Sequence, residues 1–487
     1  MKPVKSVVLM FAAVSIGILI TIGLLINLQH TAQARSIDSS KPPIIASTTS
    51  TTPVLYLIKD INPITGSKPH YFNAIGNIVF FQADDGSHGN ELWRSDGTEA
   101  GTTLVKDINP GITSSGAIYN GNWATLNGIG IFDTNDGTHG YELWRTDGTL
   151  TGTIMITDIN PSGNSYPSFM TTLGNAVYFQ ANDGFQGYGL WRTDGTLTGT
   201  TVVTNIYPSA PDIHFASLNG ALYFNAPDAL HGFEVWRSDG TPANTYMITD
   251  IYPGITNSNA TAFTVFNNKL YFNADDGVHG FELWRTDGTP TGTLMITDIN
   301  SSGNSNPAYL TPFNNALHFR ATDGAAHGSE FWRTDGTPGG TRMITDINPG
   351  GGNGSPSYFI IMDNTLLFGA TDGINSGLWR SDGTPTNTLF ITNIYPSLRE
   401  AVFNGHLYFN GYDSTNGEEL WRSDGTPTGT IMISDINPGF AAGLSNNYLT
   451  PAGNHLFFQA NNGTLGFELW AVKAGSEIFL PVVLKDF

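Results

Sequence analysis

Acidic side chains recur at fixed positions in this sequence and could hold a cation. One short loop begins with Asp84 and Asp85, and its copy later in the chain begins with Asp275 and Asp276. Carboxylate oxygens gathered on short loops are the ligands that Ca²⁺ prefers. These four aspartates are therefore candidate metal ligands, and Ca²⁺ is the candidate cofactor. The spacing does not match an EF-hand loop, and the alternative is that each carboxylate accepts N–H groups of its own turn.

A second set of aspartates is more regular, because each precedes a Gly-Thr pair. A carboxylate at the start of a tight turn accepts backbone N–H groups two or three residues ahead. A residue required in every repeat favours architecture over a binding site, so we predict a structural turn at each copy. The set consists of Asp96, Asp147, Asp194, Asp239, Asp287, Asp335, Asp382 and Asp424.

Residues that interrupt the repeat are the better candidates for ligand binding. Trp123 is a tryptophan outside the repeated motif. Asp133 and Arg320 occupy a position where most repeats carry Gln or Asn, and Arg399 and Glu400 form an isolated charged pair. We predict these five residues as ligand contacts. The alternative is neutral drift among diverged repeats.

The sequence contains no nucleophile elbow, no His-Glu-x-x-His zinc site and no phosphate-binding loop. Hydrolysis by paired carboxylates needs two acids at a defined separation. The acids outside the repeat are scattered, and none is marked as one of a pair. The chain has no cysteine, which excludes disulfides and thiolate chemistry. The sequence thus favours a non-catalytic protein while leaving an enzyme open.

The elements that carry these residues follow from a repeat. Nine tryptophans recur about 47 residues apart, and such a period indicates a propeller, a solenoid or an array. Residues 165–206 show four short apolar segments separated by Gly-Asn and Asp-Gly turns. Four antiparallel strands in each period are typical of a propeller blade. The repeat tryptophans are Trp93, Trp144, Trp191, Trp236, Trp284, Trp332, Trp379, Trp421 and Trp470.

The number of blades follows from the two ends of the repeat. After Trp470 the fourth strand is missing, whereas Val54 to Ile61 at the start matches a fourth strand with no blade before it. Pairing the two would close the ring and remove its open edges. We therefore predict an all-β fold, a single β-propeller of about nine four-stranded blades, closed by the N-terminal strand. The alternative is an open or subdivided array.

The ends of the chain predict export. Residues 1–35 combine two lysines, a long apolar run and an Ala-x-Ala site, as in a signal peptide or an uncleaved membrane anchor. Residues 36–53 form a Ser/Thr/Pro-rich linker, residues 54–473 the propeller and residues 474–487 a tail. The net charge of -20 argues against nucleic acid as a partner. We expect an extracellular or cell-surface protein that meets a membrane only through its N-terminal segment.

The motif Glu-Leu-Trp-x-x-Asp-Gly-Thr, with a following Gly-Thr pair and an Asp-Ile-Asn-Pro-Gly tail, resembles that of the ELWxxDGT repeat family of exported bacterial proteins. The resemblance covers roughly residues 54–470. It implies a secreted or surface-attached repeat protein without an established enzymatic role, and it brings no catalytic residues. Gly189 and Gly377 depart from the pattern, because they stand where the motif has Glu.

These observations predict an exported repeat scaffold that binds a protein or glycan ligand without catalysis. Two alternatives remain open at this point. One is a carbohydrate-active hydrolase or lyase that draws acids from separate blades. The other is a surface protein stabilised by Ca²⁺.

Overall fold

The structure is a computed structural model, which describes residues 53–118, 122–206, 208, 215–396, 400–444 and 449–475. The predicted signal or anchor, the linker up to residue 52, Arg399 and the tail beyond residue 475 lie outside the described residues. In the part of the chain that is described, no helix has the length and apolar character needed to cross a bilayer.

The described chain forms nine four-stranded antiparallel sheets arranged in a ring. We number the blades 1 to 9 along the chain. Blade 1 comprises β2 (His70–Ile75), β3 (Ile78–Asp84), β4 (Asn90–Ser95) and β5 (Thr103–Lys106). Blade 2 comprises β6 (Trp123–Leu126), β7 (Ile129–Asn135), β8 (Tyr141–Thr146) and β9 (Ile154–Thr157). Blade 3 comprises β10 (Ser168–Leu173), β11 (Ala176–Asn182), β12 (Tyr188–Thr193) and β13 (Thr201–Thr204).

The next three blades repeat this arrangement. Blade 4 comprises β14 (Ala216–Leu218), β15 (Ala221–Asp228), β16 (Gly232–Ser238) and β17 (Tyr246–Thr249), with a 3-10 turn at Pro242–Asn244. Blade 5 comprises β18 (Thr261–Phe266), β19 (Lys269–Asp275), β20 (Phe281–Thr286) and β21 (Leu294–Thr297). Blade 6 comprises β22 (Ala308–Phe313), β23 (Ala316–Thr322), β24 (Ser329–Thr334) and β25 (Arg342–Thr345).

The last three blades complete the ring. Blade 7 comprises β26 (Ser357–Met362), β27 (Thr365–Thr371), β28 (Ser376–Ser381) and β29 (Leu389–Thr392). Blade 8 comprises β30 (Ala401–Phe403), β31 (His406–Asp413), β32 (Gly417–Ser423) and β33 (Ile431–Ser434). Blade 9 comprises β34 (Thr450–Ala452), β35 (His455–Asn461), β36 (Phe467–Lys473) and the N-terminal β1 (Val54–Lys59).

Closure by the N-terminal strand is confirmed. β1 pairs antiparallel with β36, with Val54 opposite Lys473 and Leu57 opposite Trp470. The Tyr56 hydroxyl also donates to the carbonyl of Gly97 in blade 1, at 2.9 Å. Because β1 supplies the fourth strand of the last blade, no blade is left with an unpaired third strand at its edge.

Apolar side chains fill both faces of each blade, because each blade is packed between two others. One core cluster joins Ile131 and Leu143 of blade 2 to Val177 and Phe179 of blade 3. The first strands of neighbouring blades also contact one another, for example β18 with β22 and β22 with β26. First strands therefore form the inner wall of the ring, as in other propellers.

A buried glutamate ties each of seven blades to the loop that leads into the next blade. In blade 2, Glu142 Oε2 accepts from the Ile159 N–H at 2.7 Å and from Ser165 Oγ at 2.8 Å. Its Oε1 accepts from the Ser165 N–H at 2.9 Å. Ser165 also donates to the carbonyl of Tyr141, whereas the carboxylate is the acceptor for the buried Ile159 N–H, and it thereby fixes the path between blades. The seven residues are Glu91, Glu142, Glu234, Glu282, Glu330, Glu419 and Glu468, each with no exposed surface.

The motif arginine links neighbouring blades at the opposite rim. Arg94 Nη1 donates to the carbonyl of Gly148 in the next blade at 3.0 Å, and Arg145 Nη1 donates to that of Gly195 at 3.1 Å. In these two blades the motif arginine donates to a backbone carbonyl. Its partner is a turn carbonyl that the fold presents from the adjacent blade.

We predict that Ile58→Ala destabilises the ring, because Ile58 is a buried residue of the closing strand and packs in the core between blades 9 and 1. Removing a buried isoleucine side chain costs about 2–5 kcal/mol. Val54→Ala is the matched control, since Val54 lies in the same strand and is exposed. Urea unfolding measures both. Equal midpoints for the two variants would contradict closure by β1.

We predict that Glu142→Ala destabilises the protein, because the Ile159 N–H loses its acceptor and Ser165 loses its hydrogen bonds to the carboxylate. A buried polar group left without a partner costs about 1–3 kcal/mol. Glu99→Ala is the control, because Glu99 lies exposed on the opposite rim. The midpoint of urea unfolding should fall for the first variant and stay unchanged for the second. If the Glu142 carboxylate did not contribute to stability, the urea midpoints of both variants would stay unchanged.

Stability should also fall as the pH rises from about 4.5 to about 7. Burial raises the pKa of Glu91, Glu142, Glu234, Glu330 and Glu419 to about 7, more than the hydrogen bonds from the loops lower it. In this window the unfolded chain releases protons that the folded chain retains, so unfolding is favoured. Melting temperatures across this range test the prediction. The decline should be shallower in Glu142→Ala, and an identical slope would assign it to other groups.

Candidate functional site

The Asp-Gly-Thr turns lie at the rim where the third and fourth strands meet, and each aspartate is engaged locally. Asp96 Oδ1 accepts from the Thr98 N–H at 2.9 Å and from Thr98 Oγ1 at 2.7 Å. The same two bonds recur at the other seven turns, at Asp147, Asp194, Asp239, Asp287, Asp335, Asp382 and Asp424. These bonds lower the pKa of the Asp96 carboxyl. Their geometry is that of a turn.

The candidate metal ligands are likewise engaged in turns, on the other rim. Asp84 Oδ1 accepts from the Gly86 N–H at 2.7 Å, and Asp85 Oδ1 accepts from the Ser87 N–H at 2.8 Å. Asp85 Oδ2 also lies 2.8 Å from His88 Nδ1. Asp275 and Asp276 repeat this arrangement with His279.

In the described part of the chain, no three His, Cys, Asp or Glu side chains lie close enough together to hold a metal ion. The candidate Ca²⁺ site on the loops of Asp84 and Asp275 therefore remains a prediction of the sequence.

Two of the five predicted ligand contacts lie in blade 2. The Trp123 ring stacks on Phe132 with the centroids 5.6 Å apart and lies 5.4 Å from Phe80, filling space that Gly130 leaves open. Asp133 is buried in β7. The structure thus places Trp123 in the packing between blades 1 and 2, in a different part of the ring from Arg320 and Glu400.

Arg320 and Glu400 belong instead to a cluster of tyrosines at the inner wall of blades 6, 7 and 8. The Arg320 guanidinium lies over the ring of Tyr309, 4.9 Å from its centroid. Tyr309 packs edge to face against Tyr358 of the next blade, with centroids 5.2 Å apart. Glu400, at the entrance to blade 8, is near enough for its charge to influence Tyr358. We call these four residues, with Ser357 and Tyr395, the axial cluster.

The sixth member of the axial cluster, Tyr395, comes from the loop between blades 7 and 8. Its hydroxyl lies 2.9 Å from Ser357 Oγ. Its ring occupies the space beside Gly369, where a Cβ atom would come within 2.6 Å of it. Most blades carry Gln or Asn at the position of Gly369. The small residue therefore makes room for the tyrosine.

The loop that carries Tyr395 also departs from the repeat. Gly377 replaces the buried glutamate of blade 7, and a Cβ atom there would overlap the carbonyl of Thr392. Without the carboxylate tether, the chain reads Asn393-Ile394-Tyr395-Pro396 in place of Asp-Ile-Asn-Pro. Blade 7 therefore lacks the motif glutamate and carries a tyrosine in the following loop, whereas blade 4 has Tyr252 at that loop position and keeps Glu234.

Two tyrosines of the axial cluster have an unusual backbone. Tyr309 has φ 57° and Tyr358 has φ 56°, each at a bulge where the first strand slips against the second. A bulky residue in the left-handed region is strained, but the conformation also occurs at Ala262 and is a recurring feature of the blades. Tyr71 and Phe169 show the same conformation at the equivalent positions of blades 1 and 3. The bulge presents an aromatic ring on the inner wall in these blades.

The electrostatics of the axial cluster keep Tyr358 protonated. Burial raises the pKa of the Tyr358 hydroxyl to about 12, and a hydrogen bond with Tyr309 and the charge of Glu400 act in the same direction. Tyr358 is therefore a hydrogen-bond donor across the physiological range. Arg320 supplies the positive charge of the cluster, and Glu400 supplies the negative one.

Sequence reasoning found Arg320 and Glu400 but missed the tyrosines and Ser357. The available signals were the two glutamates lost at Gly189 and Gly377 and the tyrosine introduced in the loop that follows Gly377. Tyr309 and Tyr358 carried no such signal, because their conformation depends on a strand register that the sequence pattern does not show.

No family model and no curated protein matches the chain. Among solved structures it is similar to a puromycin hydrolase, with 12% identity over 73% of this chain and 60% of that chain and a TM-score of 0.37. It is also similar to a Mycobacterium tuberculosis puromycin-hydrolyzing peptidase, with 12% identity over 63% and 50% of the two chains and a TM-score of 0.41. It is also similar to the Pyrococcus horikoshii acylaminoacyl peptidase, with 13% identity over 65% of this chain and 52% of that chain and a TM-score of 0.34.

The expectation of a non-catalytic binding scaffold is corrected, because the matched structures are named as hydrolases and peptidases. The chain spans between half and three fifths of the length of these proteins. At this identity the likeness concerns the fold, and no catalytic residue or substrate is transferred from it.

Proposed function

We propose that the chain is a carbohydrate-active hydrolase whose substrate-binding site is the axial cluster. The observation that carries the proposal is the joining of Arg320, Tyr309, Tyr358 and Glu400 from separate blades at the inner wall. Aromatic rings with a few convergent polar groups are typical of small-molecule sites. Export to the cell exterior, as the N-terminal residues predict, would bring such a site to external glycans.

The members of the axial cluster would have different roles. The rings of Tyr309 and Tyr358 offer apolar faces to a sugar ring, while the Arg320 guanidinium and the tyrosine hydroxyls offer hydrogen bonds to its hydroxyl groups. Glu400 would donate a proton to the leaving glycosidic oxygen as the glycosidic bond breaks, a water molecule would add to the anomeric carbon, and the proton that this water loses would return to the Glu400 carboxylate. Tyr358 is assigned to binding because its raised pKa keeps the proton on its hydroxyl.

The charge of the protein favours an uncharged glycan as the substrate. The net charge is -20, and the loops that open beside the axial cluster carry many aspartates. A polyanionic glycan would be repelled on approach, whereas a neutral one would not.

We predict that Glu400→Gln lowers the rate of glycan cleavage by about 10²–10⁴-fold with little change in binding, because the carboxyl transfers a proton. Tyr358→Phe should instead weaken binding, since it removes a hydroxyl donor. The assay measures new reducing ends from a panel of neutral polysaccharides. Glu99→Gln, on the opposite rim, is the control and should keep full activity.

Three results would contradict this proposal. Full activity in Glu400→Gln would place the chemistry elsewhere. Products that absorb in the ultraviolet, as unsaturated sugars do, would indicate a lyase in place of a hydrolase. A panel without any cleaved glycan, tested with protein whose melting curve shows it folded, would overturn the enzymatic assignment.

A further inference from the structure

One rim of the ring carries a series of exposed apolar side chains that the proposed function does not use. They lie at the tips of two kinds of loop, those between second and third strands and those between successive blades. Between 66% and 93% of each side chain is exposed. We call this series the apolar crown, and its members are Ile64, Ile112, Phe185, Leu230, Ile255, Val278, Ile374 and Phe440.

The two kinds of loop form one surface, because they lie side by side. A Cβ atom on Gly86 would come within 3.3 Å of Asn62, and one on Gly373 within 2.8 Å of Asn348. The same neighbourhood recurs where Gly277 meets Tyr252. The apolar tips therefore alternate around a single rim, on which the axial cluster also opens.

The opposite rim differs. Its Asp-Gly-Thr turns are each followed by one exposed tip residue, and two of the eight tips, Leu150 and Leu197, are large and apolar. The others are Glu99, Pro242, Pro290, Pro338, Pro385 and Pro427. Isolated exposed apolar residues are ordinary on a surface, but a concentration on one face marks an interaction site.

Carboxylates surround the apolar crown. Asp85, Asp136, Asp183, Asp276 and Asp372 lie in the same loops, and the hydrogen bonds they accept lower the pKa of each despite partial burial. Lys68 is the single lysine or arginine in the described parts of these loops. His88, His139 and His279 pair with three of these aspartates. Aspartates outnumber the histidines and Lys68 in the loops, so the face combines apolar tips with a net negative charge.

We infer that the apolar crown docks a polypeptide segment that carries both apolar and basic side chains. The apolar tips would bury the apolar side chains, and the aspartates between them would pair with lysine or arginine. Charge complementarity selects this partner over two others. A second copy of the chain would bring like charges together, and an anionic membrane would be repelled.

The test uses the whole propeller and two synthetic peptides of equal length, one built from leucine and lysine and the other from leucine and glutamate. The leucine–lysine peptide should bind, more weakly at high salt, and the leucine–glutamate peptide should not. In the variant combining Ile112→Ser, Phe185→Ser, Val278→Ser and Ile374→Ser, binding should fall by at least about tenfold. These side chains are exposed, so the variant should melt like the parent protein.

Leu150→Ser with Leu197→Ser on the opposite rim is the matched control and should bind the peptide as the parent protein does. Equal binding of both peptides, or unchanged binding by the fourfold serine variant, would overturn the inference. Two further results would also overturn it, provided that the parent protein does not bind the leucine–lysine peptide. One is binding of the parent protein to vesicles of zwitterionic lipid, and the other is its self-association, if the fourfold serine variant abolishes either. Glycan cleavage in the same variant reports separately on the axial cluster.

Discussion

The ring depends on the buried carboxylate of the motif glutamate, which accepts hydrogen bonds from the loop that leads to the next blade. Each motif glutamate lies on a third strand and holds the N–H groups of the segment that crosses to the next blade. The donating residues of the crossing segment, such as Ile108 and Ser115, are buried, and the carboxylate satisfies their N–H groups. The burial that makes the bonds strong also raises the pKa of the glutamates toward neutrality. Blade geometry and protonation are therefore coupled.

In blade 7 the motif glutamate is absent, and the loop to the next blade departs from the repeat. Gly377 stands in place of a glutamate, and the loop after it brings Tyr395 to the inner wall, beside a glycine that leaves room for the ring. The axial cluster forms at this point, from residues of three blades. A ring built from repeats is uniform by default, so a site on it requires a break in the repeat. Here the departures from the repeat include Gly369, Gly377 and Tyr395.

The two rims of the ring differ in the polar and apolar groups that they expose. At one rim, arginines donate to carbonyls of the Asp-Gly-Thr turns of the next blade. At the other, the aspartates close their own turns and the loop tips leave apolar side chains facing solvent. Both rims therefore help to hold neighbouring blades together, and the second also exposes apolar side chains.

The sequence by itself determined the strands, the blade number and the closure, since the spacing of Trp93 and its copies and the orphan strand at Val54 depend on local pattern and on the need to pair strand edges. It also marked Arg320 and Glu400 as exceptions. Only the tertiary structure decided that these two share a cluster while Trp123 fills a core, because packing partners across blades are distant in the chain. The bulges that turn Tyr309 and Tyr358 inward depend on strand register, which a pattern of residue types does not specify.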